Sequence, residues 1–263
     1  MPEKARGYKK RKKGGMKMEM KRKGNRSKTG IREIRMTKGF LKYALGSCLI
    51  EIGDTRVLCA VSQEERVPFF LRDTESGWLT AEYALLPAST SERSQRNSNL
   101  TGRSQEIQRM IGRSLRGVLD LKKIGERTIY VDCDVLQADG GTRTAAVTGA
   151  FVALVEGLSK LKKAGMLRLP LLRDYLAAVS VGIVHGNRFV DLDYQEDSSA
   201  SVDLNVVMTG NGEFVEIQGT AEGVPFSRKE LDSLLEIAGE GIREIIEMEK
   251  GVLRDEIQFL LGN

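Results

Sequence analysis

The sequence predicts an α+β fold of two related lobes, each built from β-hairpins followed by a helix. Three observations carry this. Short alternating runs joined by glycine-containing turns occur in both halves of the chain, each half closes on a long run with helical spacing, and no repeat of a fixed period of roughly 20 to 50 residues divides the chain further. The 263 residues, 41% hydrophobic and 29% charged, have the composition of an ordinary soluble globule that can bury a sizeable core without a staple. No apolar run approaches the roughly 18 residues of a membrane span, which argues against an integral membrane protein. Cys48, Cys59 and Cys133 are odd in number and lack CxxC spacing, so a disulfide framework or a structural zinc site is not expected, and a reducing, cytoplasmic location is. With His185 as the single histidine, the chemistry falls to carboxylates, arginines and backbone.

Taken in order, residues 1–30 hold 13 Lys and Arg against 2 Glu, a net charge of +11 that leaves −6 for the rest of the chain. This arm reads as disordered. The divisions expected are a basic tail over 1–20, a first lobe over 21–165 and a second over 166–263. Such an arm attracts RNA or DNA by counterion release, or is a solvated leader with no specific role. GSCLIEI and TRVLCAVS, flanking Gly53-Asp54, predict a hairpin. Pro68 to Gly102 reads as a long, mostly irregular stretch. EIQRMIGRSLRGVLDL then spaces Ile107, Met110, Ile111, Leu115, Val118 and Leu119 as one helix face, with Arg109, Arg113 and Arg116 on another. That basic stripe is solvated, contacts another subunit or touches RNA, and both faces are expected to be partly buried between subunits. TIYVDCDVLQ, ADGGTRT and TAAVTGAFVALVEGLSKL read as strand, Gly-rich loop and helix. AAVSVGIV and RFVDLDY form a second hairpin with His185 exposed at its turn. SVDLNVVMTG and GEFVEIQGT form a third about a two-residue Asn211-Gly212 turn, and a last helix packs through Leu231, Leu234, Leu235, Ile242, Ile245 and Ile246.

Two features point to chemistry. In ADGGTRT, Gly140 and Gly141 allow close backbone approach to a ligand, Thr142, Thr144 and the first amides of the next helix offer donors, and Arg143 adds a charge suited to phosphate. Gly102-Arg103 repeats the arrangement before another helix. Either can also be an ordinary tight turn. The second feature is the acidic set Asp191, Asp193, Glu196, Asp197 and Asp203. The hairpin register puts Asp203 opposite Thr220 and Asn205 opposite Gln218 on a polar sheet face, while Leu204, Val206 and Met208 meet Gly219, Ile217 and Val215 on the apolar one. Asp197 and Asp203 can together hold one Mg²⁺, or they are solvated acids at strand ends.

GWLTAEYALLP, TGRSQEIQRMIGRSLRGVLDL, DCDVLQADGGTRTAAVTGA, DLDYQEDSSASVDLNVVMTG and VEIQGTAEG, in this order, resemble the ribonuclease PH family, which includes polynucleotide phosphorylase and the phosphorolytic exosome subunits. The resemblance runs from about Lys21 to about Leu253. It implies paired βαβ-type lobes of the ribosomal protein S5 domain 2-like kind, assembled as a homo-hexameric ring, a trimer of dimers. It implies a phosphate-dependent 3′-to-5′ exoribonuclease that trims precursor tRNA and other RNA 3′ ends, with inorganic phosphate as co-substrate and nucleoside 5′-diphosphates as products. Carried over residue by residue, phosphate binding falls on Arg103, Gly141, Thr142 and Arg143. The essential aspartate pair, with Mg²⁺ or Mn²⁺, falls on Asp197 and Asp203, and RNA contact falls on Arg93 and Arg96. Ala88 stands where an arginine is usual after Leu-Pro. Two other readings remain open at this point: a catalytically silent RNA-binding ring subunit, and a hydrolytic metal-dependent nuclease.

Overall fold

A computed structural model describes residues 22–96 and 102–262. The tail expected over 1–20 and the end of the irregular stretch at 97–101 lie outside the described residues. Two sheets organise the chain. The first holds β1 (Ile34–Lys38), β2 (Gly46–Ile52), β3 (Thr55–Glu64), β4 (Trp78–Leu85) and β5 (Thr128–Gln137) in the order β1-β2-β3-β5-β4. The second holds β6 (Leu176–Val184), β7 (Asn187–Val190), β8 (Ala200–Thr209) and β9 (Phe214–Ala221) in the order β7-β6-β8-β9. Helices α1 (Gly102–Val118), α2 (Thr142–Lys163), α3 (Tyr194–Ser198), α4 (Arg228–Val252) and α5 (Arg254–Ile257) complete the fold.

α2 is the shared centre. It packs on β2 and β3 of the first sheet and on β6 of the second. Its run of small residues permits close approach: a Cβ on Gly46 of β2 would lie 2.1 Å from the Ala153 carbonyl oxygen, and one on Gly149 would lie 2.6 Å from an Ile50 methyl. Alternation then divides the second sheet between two cores. Leu176, Ala178 and Val207 face α2, whereas Ala177, Val179, Val181, Leu204 and Val206 face α4. Contrary to the expectation that no segment has the length of a membrane span, α2 is long and apolar enough to cross one. Here 94% of its most apolar window is buried inside the fold, so the protein itself takes the place of lipid.

Several expectations need correction. The stretch from Pro68 contains β4, an edge strand parallel to β5. Only Leu79, Ala81 and Tyr83 of it are buried, too short an alternation to stand out against its polar surroundings. The basic arm does not extend as far as residue 30, because Arg22 is buried and bonded into the second lobe. The apolar face of α1 lies in this chain's own core rather than between subunits, through Ile107, Met110, Ile111 and Leu115. Two of its stripe arginines also act within the chain. Arg113 pairs with Glu216 at 2.5 Å, and Arg116 donates to the Leu79 carbonyl at 2.8 Å while stacking over Trp78.

The third hairpin keeps the expected pairs Asp203–Thr220, Asn205–Gln218 and Val206–Ile217, but Met208 meets Phe214 and Val215 is bulged out. The turn has three residues, with the Thr209 N–H donating to Glu213 and Gly212 at φ 86. One extra turn residue is thus cancelled by one bulge, which leaves the upstream register unchanged.

Glu249 on α4 is fully buried, and neither of its carboxyl oxygens is hydrogen-bonded. Burial raises its pKa well above the ordinary carboxylate value. Its stabilising share is therefore complete below the unfolded-state pKa and is lost as pH rises towards the raised folded value. Glu249→Gln should flatten the dependence of Tm on pH and stabilise the protein relative to wild type on the alkaline side. Identical Tm profiles in a thermal melt series would contradict this assignment.

Candidate active site

The start of α2 has unspent donors. Its N-cap, Gly141, sits in the left-handed region (φ 66) and brings no side-chain acceptor to the first-turn amides, whereas α3 and α4 both begin with complete capping boxes, from Asp193 and Ser227. The open amides and the positive end of the helix favour an anion. The glycine pair has a different local cause from the one its sequence suggests. A Cβ on Gly140 would lie 2.5 Å from the Leu192 carbonyl oxygen and 2.6 Å from the Asp193 carbonyl carbon, so this glycine admits another stretch of backbone rather than a ligand.

Around this helix start the fold gathers side chains from distant segments. Tyr83 of β4 shares a hydrogen bond with Thr142 at 2.8 Å, and Arg143 donates to Gln218 of β9 at 3.3 Å. The charges of Arg103, on the first turn of α1, and of Arg143 both act on Tyr83, Asp197 and Asp203. The two anion candidates thus share one electrostatic environment with the aspartate pair. Arg93 and Arg96 are exposed on the loop after β4. That loop is held beside the glycine turn by the Ala138 N–H donating to the Ser89 carbonyl at 2.8 Å. Ala88 is exposed on the same loop.

The acidic set divides in two. Asp191, Asp193 and Glu196 are buried and paired: Arg22 holds Glu196 at 2.7 and 2.9 Å, Arg26 bridges all three, and Arg32 grips Asp191 at 2.6 and 2.8 Å. The arginines hold the Asp191 and Glu196 carboxyls below the ordinary range against the effect of burial. Asp197 and Asp203 form no ion pair among the described residues. Burial raises both pKa values, and the Asp203 charge raises Asp197 further, while Arg143 and Arg103 partly offset this. Asp197 is exposed and Asp203 partly buried, so solvent and substrate can reach both carboxyls. Carboxylates penalised in this way are relieved by a bound cation, so the pair fits a divalent ion with oxygen ligands. Among the described residues no cluster of three or more His, Cys, Asp or Glu offers an all-protein metal cage. Sequence reasoning passed over Tyr83 and the arginines 22, 26 and 32. For Arg22 and Arg26 the available signal was the choice of arginine within a lysine-rich arm.

This architecture, two sheets with a shared central helix, defines a fold class that solved exosome-core structures also have. The chain is similar in fold to an Archaeoglobus fulgidus exosome with RNA bound to the active site (TM-score 0.72, 22% identity, 87% of this chain and 92% of the other) and to rice Rrp46 (TM-score 0.71, 18% identity, 87% and 98%). The chain belongs to the 3′ exoribonuclease family, whose domain 1 matches residues 30–157 and whose domain 2 matches residues 174–241. Among its relatives are the proteins named Ribonuclease PH from Syntrophomonas wolfei, 57% identical over 89% of this chain and 99% of that one, and from Moorella thermoacetica, 59% identical over 86% and 93%.

Removing the Arg143 charge should raise the pKa of both Asp197 and Asp203. Carboxyl titration of Arg143→Ala by carbon NMR tests this, and midpoints no higher than wild type would disprove the electrostatic contact.

Proposed function

We infer that this chain is a phosphorolytic 3′-to-5′ exoribonuclease that trims the 3′ ends of precursor tRNA and other RNAs with inorganic phosphate, releasing nucleoside 5′-diphosphates. The observation that carries the reading is the uncapped start of α2, with Arg143 and Arg103, facing two unpaired aspartates. A silent ring subunit would not need both halves of such a site. A hydrolytic nuclease would need the acids but not the anion cradle.

In this reading Arg103, Thr142, Arg143 and the amides after Gly141 hold the attacking phosphate, with guanidinium forks matching its oxygens. The phosphate oxygen forms a bond to the terminal phosphorus of the RNA while the bond to the 3′-oxygen of the preceding nucleotide breaks. The nucleoside leaves as its diphosphate, and the shortened RNA keeps a 3′-hydroxyl. Asp197 and Asp203 would hold Mg²⁺ or Mn²⁺, which supplies neutralisation of charge developing on the reacting oxygens. Asp197 would relay a proton from water to the leaving 3′-oxygen, which leaves the shortened RNA with its 3′-hydroxyl. Arg93 and Arg96 guide the RNA strand in. Because a phosphodiester is exchanged for a diphosphate linkage of similar energy, nucleoside diphosphates drive the reaction backwards. The homo-hexameric ring fits the apolar surface exposed at Tyr43, Phe69 and Phe70, and the buried thiols of Cys48, Cys59 and Cys133 suit the cytoplasm.

Incubation of a 3′-extended tRNA with Mg²⁺, with and without inorganic phosphate, should release nucleoside diphosphates only when phosphate is present. Monophosphates would mean hydrolysis, and RNA binding without release would mean a silent subunit. Arg143→Ala should lose about 10²- to 10³-fold in turnover while keeping the wild-type Tm, since one charge-stabilising donor is removed. Near-normal turnover would take Arg143 out of the mechanism.

A further inference from the structure

The site draws on two loops from different sheets. Residues 138–141 lead from β5 into α2, and residues 191–193 lead from β7 into α3 and so to Asp197. Chain connectivity does not set their separation, because the 49 residues 142–190 lie between them in sequence. Arg32, in the segment before β1, is buried where they meet, 8% exposed. Its Nε and Nη2 donate to the two Asp191 carboxylate oxygens at 2.8 and 2.6 Å, and its backbone N–H donates to Asp191 Oδ2 at 2.7 Å. The opposite side of the same guanidinium donates through Nη1 to the Asp139 carbonyl at 2.6 Å, and Nη2 reaches the carbonyls of Gly140 and Leu192 at 3.4 Å. Arg22, by contrast, bonds the acid loop and its own neighbourhood: Glu196, the carbonyls of Val190 and Asp191, and those of Ser27, Lys28 and Gly30.

We propose that Arg32 is a positioning residue that sets the spacing between the phosphate-holding start of α2 and the Asp197–Asp203 pair by bonding both loops through one rigid guanidinium. The proposal rests on the phosphorolytic reading above. Only a planar fork with donors on several edges serves here: a lysine in the same place can neutralise Asp191, but its compact ammonium cannot also hold the Asp139 carbonyl on the far side. The loops are in contact from the other direction as well, at Gly140, where a Cβ would meet the Leu192 and Asp193 backbone. Gly140→Ala therefore forces the same two loops apart without altering any charge, and its φ of 78 adds strain at that point.

The test compares wild type, Arg32→Lys and Gly140→Ala as full-length protein. Inorganic phosphate binding is measured by calorimetry without RNA, Mn²⁺ binding by electron paramagnetic resonance, RNA affinity by filter binding without phosphate or metal, and Tm by circular dichroism. Both variants should bind Mn²⁺ and phosphate about 10- to 100-fold more weakly, as expected when the groups behind metal ligands are disturbed. Their KM for phosphate should rise while RNA affinity stays at the wild-type value. If Arg32→Lys does not fold, Gly140→Ala carries the same readouts. A lowered Tm with unchanged phosphate and Mn²⁺ affinity would make Arg32 merely structural and overturn the proposal. A wild type that releases no diphosphates would instead sink the phosphorolytic reading, independently of how the variants compare.

Discussion

The helix Thr142–Lys163 has to be covered on all sides, and most of the architecture follows from that. Almost every residue from Thr144 to Leu161 is buried, including small ones that let strands approach to backbone distance. One sheet cannot enclose such a helix. Two sheets can, one on each flank, with α1 beside it, and this is why the lobes share a core that residues from the very end of the chain, Leu253, Ile257 and Leu260, help to close. A helix enclosed in this way still has ends. Its N-terminus meets Tyr83 of β4 through Thr142 and Gln218 of β9 through Arg143, so the constraint that buries the helix also brings its open amides to side chains from both sheets.

Charge at this cleft is sorted by partner. Removing ions from water is expensive unless each finds an opposite charge with good geometry. Asp191, Asp193 and Glu196 meet that condition through three arginines from the segment before β1, and they act as a fixed frame under α3. Asp197 and Asp203 do not meet it, and their raised pKa values express the shortfall. Carboxylates left wanting a cation, a short distance in sequence from carboxylates that have one, are the electrostatic signature expected of a site that is completed by its ligands.

The two halves of the proposed mechanism therefore have different structural origins. Anion binding comes from the backbone of α2 and from the arginines of α1 and α2, and cation binding comes from β8 and from α3 at the head of that strand. The loop carrying Arg93 and Arg96 is stitched to the glycine turn by the Ala138–Ser89 hydrogen bond, so it forms a rim on the anion side. Ala88, exposed on the same loop, adds no charge to that rim.

Local pattern was enough to read the hairpin β2–β3, the strand β5, the helices α1, α2 and α4, and the pairing of Asp203 with Thr220, because each depends on neighbours in sequence or on a single hairpin register. The order of the motifs was likewise enough to point to the family. Other features depended on segments far apart along the chain. β4 is a strand because β5 supplies its hydrogen bonds in parallel. Gly140 is a glycine because the backbone at Leu192 presses on it, and Arg22 and Arg32 are core residues because acids more than 150 positions later need their charge. No property of an arginine in a lysine-rich arm announces its partner. By itself the sequence determined the hairpins and long helices and which residue types can do the chemistry, since these are local. Only the tertiary structure decided which acids are neutralised and which are left free, since that is set by distance in space.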